Sequence, residues 1–192
     1  MARRLAPLAW IAVGGAALLL ATQAQANFHL WLIDEVFSNA DGSTQFIELF
    51  TGASMQNFLT GHFISTQQGA TTLQVFDFPN ALVGETTNQH FLLATPGFKA
   101  VAGIDPDYEI PAGFIQVGTA TAINFANVTA FSSLAGLPTD GVRSLDALGG
   151  TADNTPTNFA GEIGHVVPEP GGAVLGLAAL AALAVLARRR PA

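Results

Sequence analysis

Three carboxylates at alternate positions, in Asp105-Pro106-Asp107-Tyr108-Glu109, are the densest group of potential ligands in this chain. Calcium takes about six to eight oxygens, and an acidic loop can supply several of them. The segment is not an EF-hand. Counted from Asp105, Ile110 stands where that loop needs glycine and Gln116 where it needs glutamate. The alternative is a solvated acidic loop. A second candidate is Glu48 in Gln45-Phe46-Ile47-Glu48-Leu49-Phe50, where strand alternation puts Phe46, Glu48 and Phe50 on one face. Burial there would raise the carboxyl pKa and make Glu48 a candidate acid catalyst. A carboxylate that accepts backbone N–H groups from a turn instead holds a strand in place, a role open to Glu35 as well. Retaining glycosidases hold two carboxylates about 5 Å apart. Asp34, Glu35 and Glu48 could form such a pair, although their spacing does not require it. His29, His62, His90 and His165 lack His-x-His or His-x-x-x-His spacing, so the sequence gives no reason to expect a zinc site. No Gly-x-Ser-x-Gly elbow, phosphate loop or dinucleotide fingerprint is present.

The elements that must position these residues are short and β-type. Runs at 28–37, 45–50, 62–66, 71–78, 89–95 and 114–117 read as strands, with weaker ones at 122–125, 142–145 and 162–166. Turn residues separate them: Asn39-Ala40-Asp41-Gly42, Gly69, Pro79-Asn80, Gly84, Pro96-Gly97, the segment 103–111, Pro138 and Gly149-Gly150. The stretch 151–159, rich in Asn, Thr and Pro, reads as an irregular loop. No amphipathic helix and no internal repeat stand out. Many short strands between turns predict an all-β chain, an antiparallel sandwich or barrel.

Leu32-Ile33-Asp34-Glu35-Val36, a short turn and Gln45-Phe46-Ile47-Glu48-Leu49-Phe50 resemble the opening of lamin-tail-type domains. Phe58-Leu59-Thr60-Gly61-His62-Phe63-Ile64 stands where that family has its next strand, led by a Leu-x-Gly element. The resemblance covers roughly residues 30–66 and implies an immunoglobulin-like β-sandwich. It implies an accessory module on a surface protein and carries over no catalytic residue.

Both ends read as topology signals. Arg3 and Arg4, the apolar run Leu8 to Ala21, and Ala24-Gln25-Ala26 make the three parts of a signal peptide over residues 1–26, with cleavage after Ala26. This leaves a domain over 27–166 and a tail over 167–192. In the tail, Gly171 to Ala187 spans about 25 Å as a helix. That is short against a hydrocarbon core of roughly 30 Å. Arg188-Arg189-Arg190 directly after it would stay cytoplasmic. Arg3 and Arg4 give the same orientation, which places the domain across the inner membrane. The order Pro168-Glu169-Pro170, small-residue apolar helix, arginine cluster resembles the PEP-CTERM sorting signal of Gram-negative bacteria. The resemblance implies recognition and cleavage near the triplet by an exosortase. It implies a transient membrane anchor, followed by release to the cell surface or extracellular polysaccharide.

Composition bounds the rest. All fourteen Phe lie between the two signals, ample material for a core, and no Cys is present, so packing alone must hold an exported domain. The same region carries thirteen of the acidic residues against Lys99 and Arg143 alone. Nucleic-acid binding needs cations along the phosphates, so that partner class is excluded. Cations or neutral polysaccharide are compatible. The expectation is an exported, non-enzymatic β-sandwich of the surface or matrix, without a cofactor. Two alternatives stand beside it: a periplasmic or matrix hydrolase using a carboxylate pair, and a calcium-dependent adhesive module using Asp105, Asp107 and Glu109.

Overall fold

The computed structural model describes residues 28–167. The expected signal peptide with Ala24 and Ala26, the triplet Pro168-Glu169-Pro170, the apolar span 171–187 and Arg188-Arg189-Arg190 lie outside them. Among the described residues no helix is long and apolar enough to cross a membrane.

The described residues are mostly β and form two sheets. In chain order the strands are β1 (Leu32–Ser38), β2 (Gln45–Thr51), β3 (Phe63–Gln68), β4 (Thr71–Asp77), β5 (Gln89–Ala94), β6 (Tyr108–Glu109), β7 (Ala122–Phe125), β8 (Thr129–Phe131), β9 (Arg143–Asp146) and β10 (Thr151–Asp153). One sheet runs β10-β9-β1-β2-β5-β6 and the other β4-β3-β7-β8. All pairings are antiparallel except β5 with β6. The inward side chains of both sheets share one core. Ile33, Val36, Ile47, Leu49, Phe91 and Leu93 meet Ile64, Ile123, Phe125 and Phe131 from the facing sheet. Trp31 stands edge-on to Phe91 at 4.6 Å, and its indole N–H donates to the Gln56 carbonyl at 2.7 Å.

The larger sheet is covered on its outer face too. Strand alternation turns Phe37, Phe46, Leu92 and Ala94 away from the main core. There they form a second cluster with Phe98, Ala102, Ile104 and Val166. Phe98 and Ala102 belong to α1 (Phe98–Ala102), a single helical turn closed by Gly103 at φ 81°. Gly164 lets the C-terminal strand of chain lie against this turn. A Cβ there would come within 2.8 Å of the Ala102 carbonyl. This double cover explains why β2 is almost entirely buried although its sequence alternates.

Several strand expectations hold to within a residue or two, and four differ for identifiable reasons. The run 28–37 begins as a strand only at Leu32. Before it, the Leu30 N–H is engaged by the Gln56 side chain at 3.0 Å. The run 114–117 is not a strand, although Phe114 and Ile115 are fully buried. The Gln45 amide takes the place of a partner strand, accepting from Ile115 N–H at 2.9 Å and donating to Ile115 C=O at 2.7 Å. The run 162–166 makes one bridge, Thr157 to Ile163, and otherwise packs on α1. Residues 151–153, expected in a loop, pair with β9 as β10.

Gln45 is fully buried and satisfies two backbone groups of a segment 70 residues away. Gln45→Ala leaves both without partners and is expected to cost about 3 kcal/mol in urea unfolding. Gln68→Ala, at the exposed end of β3, should stay within about 0.5 kcal/mol. Equal effects would contradict this role for Gln45.

Candidate functional site

The outer face of the larger sheet gathers most of the acids singled out in the sequence. Glu35 of β1 and Glu48 of β2 stand opposite each other, Glu35 is also opposite Asp146 of β9, and Glu48 is opposite Leu92 of β5. A register shift between Ile33 and Glu35 lets two consecutive residues, Asp34 and Glu35, approach this face. Regular alternation would send one of them into the core. The Glu35 and Glu48 side chains are buried, Glu48 to within 3% of full burial, whereas Asp34 is 40% exposed. The structure therefore brings together the carboxylates whose pairing the sequence left open.

Neither buried glutamate has a Lys or Arg beside it. Instead, the segment after β10 crosses over them. Thr155 donates its N–H to Glu35 at 3.0 Å and its hydroxyl to the same carboxylate at 3.3 Å. Thr157 donates its N–H to Glu48 at 2.7 Å. Phe159 donates its N–H to Asp107 at 2.9 Å, and Leu92 N–H binds the same Asp107 oxygen at 2.8 Å. Three alternate N–H groups of one irregular segment thus find three carboxylates, taken in the order in which they lie across the sheet. Asn154 secures the start of the segment through Val142 C=O and both backbone groups of Val166.

The electrostatics follow from burial with few compensating charges. Desolvation pushes Glu35 from its ordinary 4.5 up to about 7; the nearby Ser144 hydroxyl and the Thr155 N–H only partly offset it, and the Glu48 charge adds to it. Glu48 and Asp107 are also pushed up, chiefly by desolvation. Contact with Glu48 pushes His90 up, against its own desolvation. Both shifts favour keeping a proton between His90 and Glu48.

His90 joins this group from β5, beside Glu48 and Asp34. Its Nδ1 is in contact with Glu48 Oε1 and lies 3.8 Å from Asp34 Oδ2. The ligand atoms of Asp34, Glu48 and His90 all lie within 4.8 Å of one another, the only such group among the described residues. Sequence spacing gave no sign of it, because its members stand on three strands and meet only through sheet register. Beside it opens a cleft of about 320 Å³ lined by Asp34, Glu35, Ser144, Asp146, Asp153 and Thr155, among others.

The acidic segment expected to hold calcium is arranged differently. Asp105 pairs with Lys99 at 2.7 Å, Asp107 accepts two backbone N–H groups, and Glu109 lies exposed in β6. Their ligand atoms do not form a group, and Asp107 serves the fold. Two further histidines are engaged elsewhere: His62 stacks on Phe28 at 3.4 Å and His165 contacts Asn154 C=O at 2.7 Å. Compared with known proteins, the chain matches no family model, no curated protein and no solved structure.

Each raised pKa means that the folded chain holds its proton more tightly than the unfolded chain. The stability linked to Glu35 is complete below its unfolded 4.5 and is lost as pH rises through about 7. Glu48, Asp107 and His90 act in the same direction. Unfolding free energy is therefore expected to rise as pH falls from about 8 to about 5. Glu35→Gln, which keeps an acceptor for Thr155, should flatten this slope and add about 2–3 kcal/mol at pH 8. Stability that falls steadily over the same interval would contradict the assignment.

Proposed function

We propose that this chain is an exported, non-catalytic β-sandwich protein of the cell surface or extracellular matrix, delivered by an exosortase and compatible with exopolysaccharide. The observation that carries the reading is the ordered tail, Pro168-Glu169-Pro170, the apolar span 171–187 and Arg188-Arg189-Arg190. An apolar span of that length, built largely of Ala and Gly, is at the short end of what crosses a hydrocarbon core, which suits a processing handle better than a permanent anchor. The N-terminal signal, with Ala24 and Ala26 at its cleavage positions, gives the same orientation. The two facing sheets fit the immunoglobulin-like sandwich implied by the lamin-tail resemblance.

The site's geometry favours a non-catalytic role. A glycosidase-type pair would need one carboxyl group free to attack or to take up a water-borne proton. Glu35 and Glu48 do stand side by side, but Thr155 and Thr157 already bind them and cover them. A calcium-dependent adhesive role for Asp105, Asp107 and Glu109 is disfavoured by the Lys99 pair and the Asp107 backbone contacts.

Replacing Pro168, Glu169 and Pro170 by alanine tests the sorting reading in a host that carries an exosortase. The variant is expected to accumulate at full length in the membrane fraction, while the unaltered chain is shortened and leaves it. Immunoblots of fractionated cells report both. Normal shortening of the triple variant would overturn the reading.

A further inference from the structure

We propose that Asp34, Glu48 and His90 form a binding site for a divalent transition-metal ion of the zinc type. His90 Nδ1, Glu48 Oε1 and the Asp34 carboxylate would be its protein ligands. The proposal is independent of how the chain is sorted.

The convergence of two carboxylates on one ring nitrogen is the first support. Glu48 Oε1 and Asp34 Oδ2 both face His90 Nδ1. A single N–H donates well to one acceptor, whereas an ion bound at that nitrogen is shared by both carboxylates. Asp34 also lies within ion-pair distance of His90, so both carboxylates bear on the same ring nitrogen. The β1 irregularity brings the half-exposed Asp34 carboxylate to this face.

The second support is the state of the buried groups. Glu48 is held by Thr157 N–H through Oε2, which leaves Oε1 directed at the histidine. Such an outer contact is what orients a carboxylate ligand at metal sites. His90 Nδ1 is buried, and the groups nearest to it are the Glu48 and Asp34 carboxylates. In the adjoining cleft the fully buried Ser144 hydroxyl stands beside the Glu35 carboxylate.

The dimensions and donor set select the ion. Zinc binds imidazole nitrogen and carboxylate oxygen at about 2.0–2.2 Å, so its ligand atoms lie at most about 4 Å apart. Tetrahedral zinc spaces its ligand atoms about 3.4 Å apart, so an ion would draw the half-exposed Asp34 in and open the close contact between Glu48 and His90. Imidazole suits zinc and its transition-metal neighbours, whereas calcium asks for more oxygens than two carboxylates provide. The cleft on the Asp34 side offers an approach for the ion and room for water as a further ligand.

The test uses the full chain in detergent micelles, stripped of metal. Cobalt, whose visible absorption reports ligand geometry, and zinc, followed by calorimetry, are titrated at neutral pH. One ion per chain is expected, with millimolar calcium failing to displace it. Asp34→Asn and His90→Gln should each weaken binding at least tenfold, and His62→Gln should not change it. Asp34→Asn should also leave the metal-free melting temperature unchanged, so its loss of binding is not a loss of fold. Absence of saturable binding would overturn the proposal, as would affinity unchanged in both ligand variants.

Discussion

Three carboxylates that accept backbone N–H groups from one irregular segment hold the outer face of this protein together. Glu35 and Glu48 are buried and Asp107 is partly buried, with no Lys or Arg among the groups that bind them and only His90 beside Glu48 as an ionisable base. The described region has only two such cations, and each is paired at the surface, Lys99 with Asp105 and Arg143 with Asp140. A buried charge without a partner is strongly unfavourable. A covering segment without a neighbouring strand leaves N–H groups that also need partners. Each deficit meets the other. Because the segment then continues along α1 to Val166, the same contacts seat the second apolar cluster on the sheet.

This arrangement also sets the order in which the domain can be completed. The Thr155–Glu35 and Thr157–Glu48 contacts join residues 120 and 109 positions apart. Contacts of that separation carry a large loop-closure cost and form after local pairings such as β1 with β2. The last described residues therefore join the fold late, and Pro168-Glu169-Pro170 follows directly behind them in sequence. The electrostatic consequence is unusual for an acidic protein. Protonating its buried carboxyls relieves their desolvation, so mild acid strengthens the folded state while those groups titrate.

How much of this was legible in the sequence varies with the kind of interaction involved. Alternation in Gln45–Phe50 and the apolar run Gln89–Ala94 marked β2 and β5, because burial against a core leaves a periodic signature. That Glu48 could accept backbone N–H groups was one of two readings open in the sequence, although that reading expected a turn near the strand and the donor is Thr157. The donor was not legible, because nothing local in Thr155-Pro156-Thr157 says which face it will cross. β6 and β10 are too short to carry a pattern and exist only through their neighbours. Phe114–Val117 shows the opposite failure. Its composition is strand-like, but Gln45 satisfies its backbone and the ladder is never built. The Asp34–Glu48–His90 group depends on a bulge and on the register of three strands, which spacing along the chain does not encode.

The account stands or falls on whether the carboxylates bind the covering segment in solution. Hydrogen exchange of individual amides, followed by NMR on the full chain, measures this directly. Thr155, Thr157 and Phe159 are expected to exchange with protection comparable to the β2 amides, and far more slowly than the exposed Val83. Exchange of these three at the rate of Val83 would show that the segment is not held, and would contradict the central claim.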